Sequence, residues 1–428
     1  MTEAKNLLVV TVSGKDRPGI TATFTRVFIE NSVQVLDIEQ ASLQNLLGLY
    51  FLLDLSSVTE TKDSVIKDLL FEANRLSLTL NFQLISPIEI QTAIQRNLYV
   101  LTHFGDTKTL AELSNILGEE NVNIKKISTL NHLDALSVEM IINVKDAPSL
   151  SDLKQRIMEK SRELNIDLAL QKLEAYRKNK RLIFFDVDST LIEMEIIDEM
   201  ARRAGVYREV ARITEKAMRG DFDFEESLTQ RVAMLKGFTL AEMTEIRDKM
   251  VFSPGVEELV TTVRRLGYKL GLITGGFDFF ADYIKEKLEF DFSFANSLEI
   301  KSGTLTGRLK GQVIDAAQKA RIVNQISYEQ GILLDQIVVV GDGANDALML
   351  GQAGLGIAYN AKRRLDRIAN VALGKSRLMN ILHFLGITEE DINDALSNRP
   401  KKSSRQQVLF QPYSHFDPEY QNPYHSDR

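Results

Sequence analysis

The chain has 428 residues, 44% hydrophobic and 26% charged, with 52 Lys and Arg against 59 Asp and Glu for a formal charge of −7. That balance is ordinary for a globular protein and argues against wholesale disorder, and with no basic block it leaves no footprint for nucleic acid or an anionic membrane. Without cysteine the chain cannot form disulfides, thiolate zinc sites or cysteine nucleophiles, and with none of its five histidines between Arg181 and Leu382 that stretch cannot build a serine–histidine triad. No apolar run approaches the ~18–20 residues of a membrane span, and the first residues lack a signal-peptide core, so a cytoplasmic protein of about three domains is expected.

In chain order, a repeat comes first. Asn6-Leu7-Leu8-Val9-Val10-Thr11-Val12-Ser13-Gly14 returns as Asn97-Leu98-Tyr99-Val100-Leu101-Thr102-His103-Phe104-Gly105, two strand-like runs ending in glycine. Each is followed by a helical pattern (19–30; 107–117) and two strand-like stretches (33–42 and 47–55; 122–130 and 135–144). A second helix (63–76; 150–164) and a last strand (78–85; 166–170) close each unit, so the order βαββαβ occurs twice. From residue 181 the rhythm changes. Hydrophobic strands at 182–185, 269–273, 337–340 and 355–358 alternate with helical segments, the pattern of a parallel α/β sheet. A long helical interruption at about 193–250 falls directly after the first of these strands, where an inserted cap would lie over the carboxyl ends of the sheet. Residues 400–428 hold four of the eight prolines amid Ser, Gln, Asn and Tyr, and disorder is expected there. The expected domains are therefore 1–88, 89–174 and 175–398, with a tail from 399.

Three strand ends carry chemistry. Phe185-Asp186-Val187-Asp188-Ser189-Thr190 closes the first parallel strand, and residues two apart on extended chain point the same way, so Asp186 and Asp188 can share one face of a crevice. Gly341-Asp342-Gly343-Ala344-Asn345-Asp346 closes another, with glycines for a tight turn and two carboxylates plus an amide at a helix start. Capping alone would explain one or two of these residues, but not two acidic clusters at the ends of buried parallel strands. Hard oxygen ligands gathered this way suit Mg2+. Thr274-Gly275-Gly276 closes a third strand and offers a hydroxyl and bare backbone N–H groups to an anion. Lys319, one helix and one strand before the Gly-Asp-Gly cluster, would supply the cation that a phosphate site needs.

The βαββαβ order, with Asp16-Arg17-Pro18-Gly19 turning out of the first strand, resembles ACT domains, small ferredoxin-like modules that often bind amino acids. The resemblance covers residues 1–172, and the second copy lacks the Asp-Arg-Pro-Gly turn. Asp-x-Asp-x-Thr, Thr-Gly-Gly, Lys and Gly-Asp-Gly-Ala-Asn-Asp, in that order over about 180–385, resemble the haloacid dehalogenase-like phosphatases. Within them the nearest likeness is to the phosphoserine phosphatases, through Glu195 and the cap stretch Phe224-Glu225-Glu226-Ser227-Leu228-Thr229-Gln230-Arg231-Val232. The expected fold class is thus α/β: a doubly wound parallel-sheet domain with a helical cap, preceded by two ACT-like domains.

That resemblance implies Asp186 as nucleophile and Asp188 as acid/base in hydrolysis of O-phospho-L-serine. It implies Mg2+ held by the Asp186 and Asp342 side chains and the Asp188 carbonyl, with Asp346 supporting its outer shell. Thr274, Gly275 and Lys319 would hold phosphate, Asn345 would complete the substrate site, and Glu195 and Arg231 would read the amino and carboxylate groups. Threonine stands at 274 where the family usually has serine, which keeps the hydroxyl and adds a methyl. The ACT-like modules suggest L-serine as an effector near Asp16, Gly19 and Asn31, and their open sheet edges suggest a homodimer. On the residues alone two other readings stay open: a related Mg2+ phosphatase for another small phosphomonoester, and an amino-acid sensor with a dead phosphatase domain. The intact Asp186, Asp188, Lys319 and Asp342 count against the second.

Overall fold

The computed structural model describes residues 7–58, 62–85, 97–131, 136–361, 365, 368–374 and 378–397. Contacts divide the chain into a unit of residues 1–96 and a unit of residues 97–428. In the first, β1 (Leu7–Lys15), α1 (Ile20–Glu30), β2 (Gln34–Leu43), β3 (Leu46–Asp54), α2 (Lys62–Arg75) and β4 (Thr79–Ile85) make an antiparallel sheet of order β2-β3-β1-β4 with both helices on one face. Alternation decides which face. Leu8, Val10 and Val12 of β1 and Leu47, Leu49, Phe51 and Leu53 of β3 point together into a core closed by Phe24 and Phe28 of α1 and Val65 and Leu69 of α2. α1 starts at Gly19, whose φ of 93° lies in the left-handed region that favours glycine.

The second unit repeats the order as β5 (Leu98–Gly105), α3 (Thr107–Glu119), β6 (Asn123–Asn131), β7 (Leu136–Asn143), α4 (Leu150–Leu164) and β8 (Leu168–Lys172). Where the first module turns on Gly19, α3 is capped by Asp106, whose carboxylate accepts from Thr109 N at 2.9 Å. The chain then runs through β9 (Leu182–Phe185), four helices α5 (Ile196–Arg203), α6 (Tyr207–Arg219), α7 (Phe224–Ala233) and α8 (Leu240–Asp248), and α9 (Val256–Arg265) into β10 (Lys269–Phe277). After α10 (Asp278–Leu288) come a hairpin of β11 (Phe292–Lys301) and β12 (Thr304–Lys310), α11 (Ala316–Gln330), β13 (Ile337–Gly341), α12 (Ala347–Gln352), β14 (Leu355–Tyr359) and β15 (Val371–Leu373). Two further helices, α13 (Ile381–Phe384) and α14 (Glu389–Ser397), end the described chain.

β11-β10-β9-β13-β14-β15 pair in parallel with β9 near the centre. Leu182, Ile183, Phe184 and Phe185 are all buried, because alternate residues enter different cores: Ile183 and Phe185 one, Leu182 and Phe184 the other. The long interruption after β9 is helical, as expected, but the sequence reading missed β11, β12 and β15. The hairpin mixes polar and apolar residues and completes its pairing outside itself. Gly237 N donates to Leu305 O at 2.8 Å and Leu305 N to Phe238 O at 2.8 Å, fastening β12 to the link between α7 and α8.

The expected break between residues 174 and 175 is not a break in the sheet. β15 pairs antiparallel with β8, joining the second module to the parallel strands in one order of eleven, β12-β11-β10-β9-β13-β14-β15-β8-β5-β7-β6. Side chains reinforce the seam: Asp167 accepts from Gly374 N and Asn380 Nδ2 at 2.8 Å each, Gln171 Nε2 donates to Phe384 O at 2.8 Å, and Arg177 forms a buried ion pair with Glu139. Among the described residues no helix is long and apolar enough to cross a membrane. The tail from 399 lies outside them.

Candidate active site

The ends of β9, β10 and β13 meet at one point. Asp186 continues β9, its N–H donating to Val340 O of β13 at 2.9 Å, so its carboxylate lies beside the Gly341–Asp346 turn. Lys319, near the start of α11 and 1% exposed, places Nζ 2.8 Å from Asp186 Oδ1 and 2.7 Å from Asp346 Oδ1. The other oxygen of Asp346 accepts from Gly343 N at 3.0 Å. Thr190 Oγ1 lies 3.5 Å from Asp342 Oδ1, at the limit of a hydrogen bond, and links the two acidic strand ends. Oxygens of Asp186, Asp342 and Asp346 all fall within 4.8 Å of one another.

One lysine does not balance this much negative charge. Burial, with Asp346 adding to it and Lys319 opposing, pushes the Asp186 carboxyl up to about 7. Burial together with Asp186 and Asp346 pushes Asp342 up to about 7. Burial, then Glu195 and Asp186, holds Asp188 well above the usual carboxylate range. Burial by itself would lower Lys319, yet Asp186 and Asp346 hold it above its ordinary value. Carboxylates this crowded, with hard oxygens converging, fit a divalent cation. The site can therefore hold a metal.

Thr274 and Gly275 lie near the end of β10, next to Gly276. Gly276 N donates to Thr274 Oγ1 at 2.9 Å, and Gly276 lies so close to Asp188 that a Cβ there would come within 2.9 Å of its Oδ2. On the cap side, Ser189, at a φ of 57°, donates to Glu195 Oε1 at 2.8 Å, and Ile196 N donates to Asp188 Oδ1 at 3.2 Å where α5 begins. Glu195 is open to solvent, but the protein around it raises its carboxyl, with Ser189 opposing. Burial lowers the half-buried Arg231 of α7, with Asp198, Glu195 and Asp188 acting against it, and its Nε donates to Ser227 O at 3.3 Å. Asn345 sits on the turn beside Asp346.

The structure thus brings Asp186, Lys319, Asp342 and Asp346 together, sets the 274–276 turn beside Asp188, and ties Glu195 to Ser189. The three effector candidates lie in the first unit. There Asp16 accepts from Ser42 Oγ at 2.7 Å, and Asn31 is buried with Nδ2 donating to Val27 O at 3.0 Å and Asp68 Oδ2 at 3.2 Å, so its donors serve the module itself. Sequence reasoning missed Ser189, Thr190, Phe224 and Asn296. A Cβ on Gly275 would meet the Phe224 ring at 2.9 Å. Ser189, Thr190 and Phe224 lie inside stretches already quoted, while Asn296 has no local signature.

Acidic strand ends, a buried lysine and a helical cap over a parallel sheet define a haloacid dehalogenase-like hydrolase, and residues 180–354 match that family while residues 6–83 match the ACT domain. Over 394 residues the chain is 37% identical to the phosphoserine phosphatase of Streptomyces coelicolor, covering 91% of this chain and 94% of that one. Over 396 residues it is 34% identical to phosphoserine phosphatase SerB2 of Mycobacterium tuberculosis, covering 92% and 96%. The chain belongs to the phosphoserine phosphatase family. Among solved structures, the unliganded probable phosphoserine phosphatase of Vibrio cholerae matches with a TM-score of 0.54 and 31% identity over 71% of this chain and 89% of that one.

Proposed function

We propose that the chain hydrolyses O-phospho-L-serine to L-serine and phosphate, as the last step of serine biosynthesis, through a phosphoryl group carried on Asp186. The buried Asp186–Lys319–Asp346 arrangement, with Asp342 in reach and Asp188 beside Gly276, carries this reading. Asp186 attacks phosphorus in line, forming the Asp–O–P bond as the P–O bond to serine breaks. Asp188, whose carboxyl is held well above the usual carboxylate range by burial and by Glu195 and Asp186, gives its proton to the departing serine oxygen. It then takes one from the water that cleaves the aspartyl phosphate. Lys319, the Thr274 hydroxyl and the Gly275 N–H grip the phosphate oxygens, with Asn345 beside them. Asp186, Asp342 and the Asp188 carbonyl would hold Mg2+, oriented by Asp346, and Mg2+ when bound offsets charge between carboxylate and phosphate. Glu195 takes the substrate ammonium and Arg231 its carboxylate.

Asp186→Asn keeps shape and removes the nucleophile, so turnover should vanish with the fold intact; a phosphoryl mimic such as beryllium fluoride found on any other residue would refute the mechanism. Arg231→Ala should lower phosphoserine hydrolysis far more than that of phosphoethanolamine, which lacks the carboxylate, by roughly 2–5 kcal/mol of lost transition-state binding. Equal losses would make Arg231 a cap support only.

Regulation and assembly belong to the same reading. L-serine acts as a feedback effector at the first module, near Asp16 and Gly19, and the chain pairs as a homodimer. Its open edge strands support pairing: β2 exposes Val35, Leu36 and Ile38, and β4 exposes Phe82 and Leu84. Inhibition by L-serine that is purely competitive, and equal in a chain beginning at Asn97, would reduce it to product inhibition.

A further inference from the structure

The phosphate side of the site is held from behind by a residue outside every motif. β10 and β11 pair with Ile273 opposite Phe294 and Phe277 opposite Asn296, so four steps along β10 match two along β11 and residues 274–276 bulge off the ladder. The bulge puts Thr274 and Gly275 in the site, and it also takes their backbone away from the neighbouring strand's hydrogen bonds. Asn296, 2% exposed, fills that gap. Its Nδ2 donates to the Gly275 carbonyl at 2.9 Å, and its Oδ1 accepts from Ile314 N at 2.7 Å. Ile314 immediately precedes Asp315, whose carboxylate caps α11 by accepting from Gln318 N at 2.7 Å. Lys319 is the next residue along. One buried amide therefore ties the Thr-Gly-Gly bulge to the segment that launches the lysine.

We infer that Asn296 is a positioning residue for phosphate, setting the orientation of the 275–276 peptide and its distance from Lys319. The peptide is fixed at both ends, its carbonyl by Asn296 and its N–H by Thr274 Oγ1. With its oxygen accepting from that N–H, the Thr274 hydroxyl keeps its proton for a phosphate oxygen. Asn296 touches no substrate and acts through Gly275 and Ile314. The inference rests on the phosphatase reading above.

The test uses the full chain with Asn296→Asp, which keeps the shape and the Ile314 acceptor but turns an oxygen toward the Gly275 carbonyl, and Asn296→Ser, which lacks the reach. KM for phosphoserine and Ki for inorganic phosphate report only on folded protein, so partial misfolding does not blur them. Both variants should show kcat/KM down by about a hundredfold, with KM and the phosphate Ki up by about tenfold. Values of KM and Ki within about twofold of the unaltered chain overturn the inference, whatever happens to the melting temperature. Should neither variant fold, the unaltered chain decides: its 15N-labelled Asn296 side-chain amide must shift when inorganic phosphate is added, and an unmoved signal refutes the role. Turnover of phosphoserine by the unaltered chain tests the reading itself, and a chromogenic phosphomonoester serves for the Ki if that turnover is absent.

Discussion

Two modules with the same order of elements sit in different surroundings. In the first, Thr11 and Tyr50 are paired across β1 and β3 on the face away from the helices, and Tyr50 is 47% exposed. In the second, the corresponding pair is Thr102 and Glu139, 0% and 9% exposed, covered by Arg177 with Phe104 packed nearby against His383 and Phe384. The edges differ as well: β2 and β4 are sheet edges in the first unit, whereas β8 pairs with β15. A repeated pattern therefore predicts the helix-covered face, which is local, and says nothing about what covers the other face. One copy has become part of the catalytic sheet, and the other remains a unit of its own.

Truncation should separate them most sharply. A chain beginning at Asn97 should keep kcat/KM for phosphoserine within about twofold, because contacts separate residues 1–96 from the rest. A chain beginning at Tyr176 loses β8, Asp167, Gln171 and Glu139, and its activity should fall by roughly a hundredfold or more through loss of folded protein. Equal activity of the two would mean that the continuous sheet does not matter for folding. Next, Arg177→Ala leaves Glu139 buried without its ion-pair partner and should cost about 3–5 kcal/mol in the unit that carries catalysis. Phe24→Ala should cost about 3–5 kcal/mol in the first unit alone. Calorimetry should show a different transition moving in each case, with turnover at 25 °C changed only by the former.

The histidines give a smaller, pH-dependent contrast. The first 96 residues contain none. His103 in β5 is buried, both its ring nitrogens lack a hydrogen-bond partner among the described residues, and burial lowers it to about 4. The unfolded chain, with an ordinary histidine near 6.5, binds the proton first, so the stability of the second unit that depends on neutral His103 is present above that pH and lost as pH falls toward 4. At pH 5 the loss is about 2 kcal/mol, and His103→Leu should recover it in urea melts while changing little at pH 7. An unchanged wild-type-to-variant gap across that range would rule out this titration. The smallest effect belongs to Gly19→Ala, where a φ of 93° with no side-chain clash should cost about 1 kcal/mol in the first transition only. It should weaken any L-serine response and leave unregulated turnover as it was.

Local features were legible in the sequence. Asp186 and Asp188 directly follow one hydrophobic run, and Asp342 and Asp346 lie in the glycine-containing turn that ends another, so chain order alone puts them at strand ends. Other features depend on distant pairing. Asn296 lies on a half-polar strand, and its partner Gly275 needs it only because β10 bulges there. Thr102 and Glu139 look like solvent-facing residues of an alternating strand, and only the return of the chain after residue 175 buries them. β15 has three residues, too few to announce itself.

The joined sheet also sets a clock for biosynthesis. Ala169 pairs with Val371, roughly 200 residues later, so at ~5–20 residues per second the ribosome takes about 10–40 s to deliver the partner of β8. Through that interval the second module emerges with an unpaired strand edge, while the first module, whose strands all lie within residues 7–85, can already have closed. Newly made chains are thus most open to mispairing with one another late in synthesis, and chaperone demand should concentrate there.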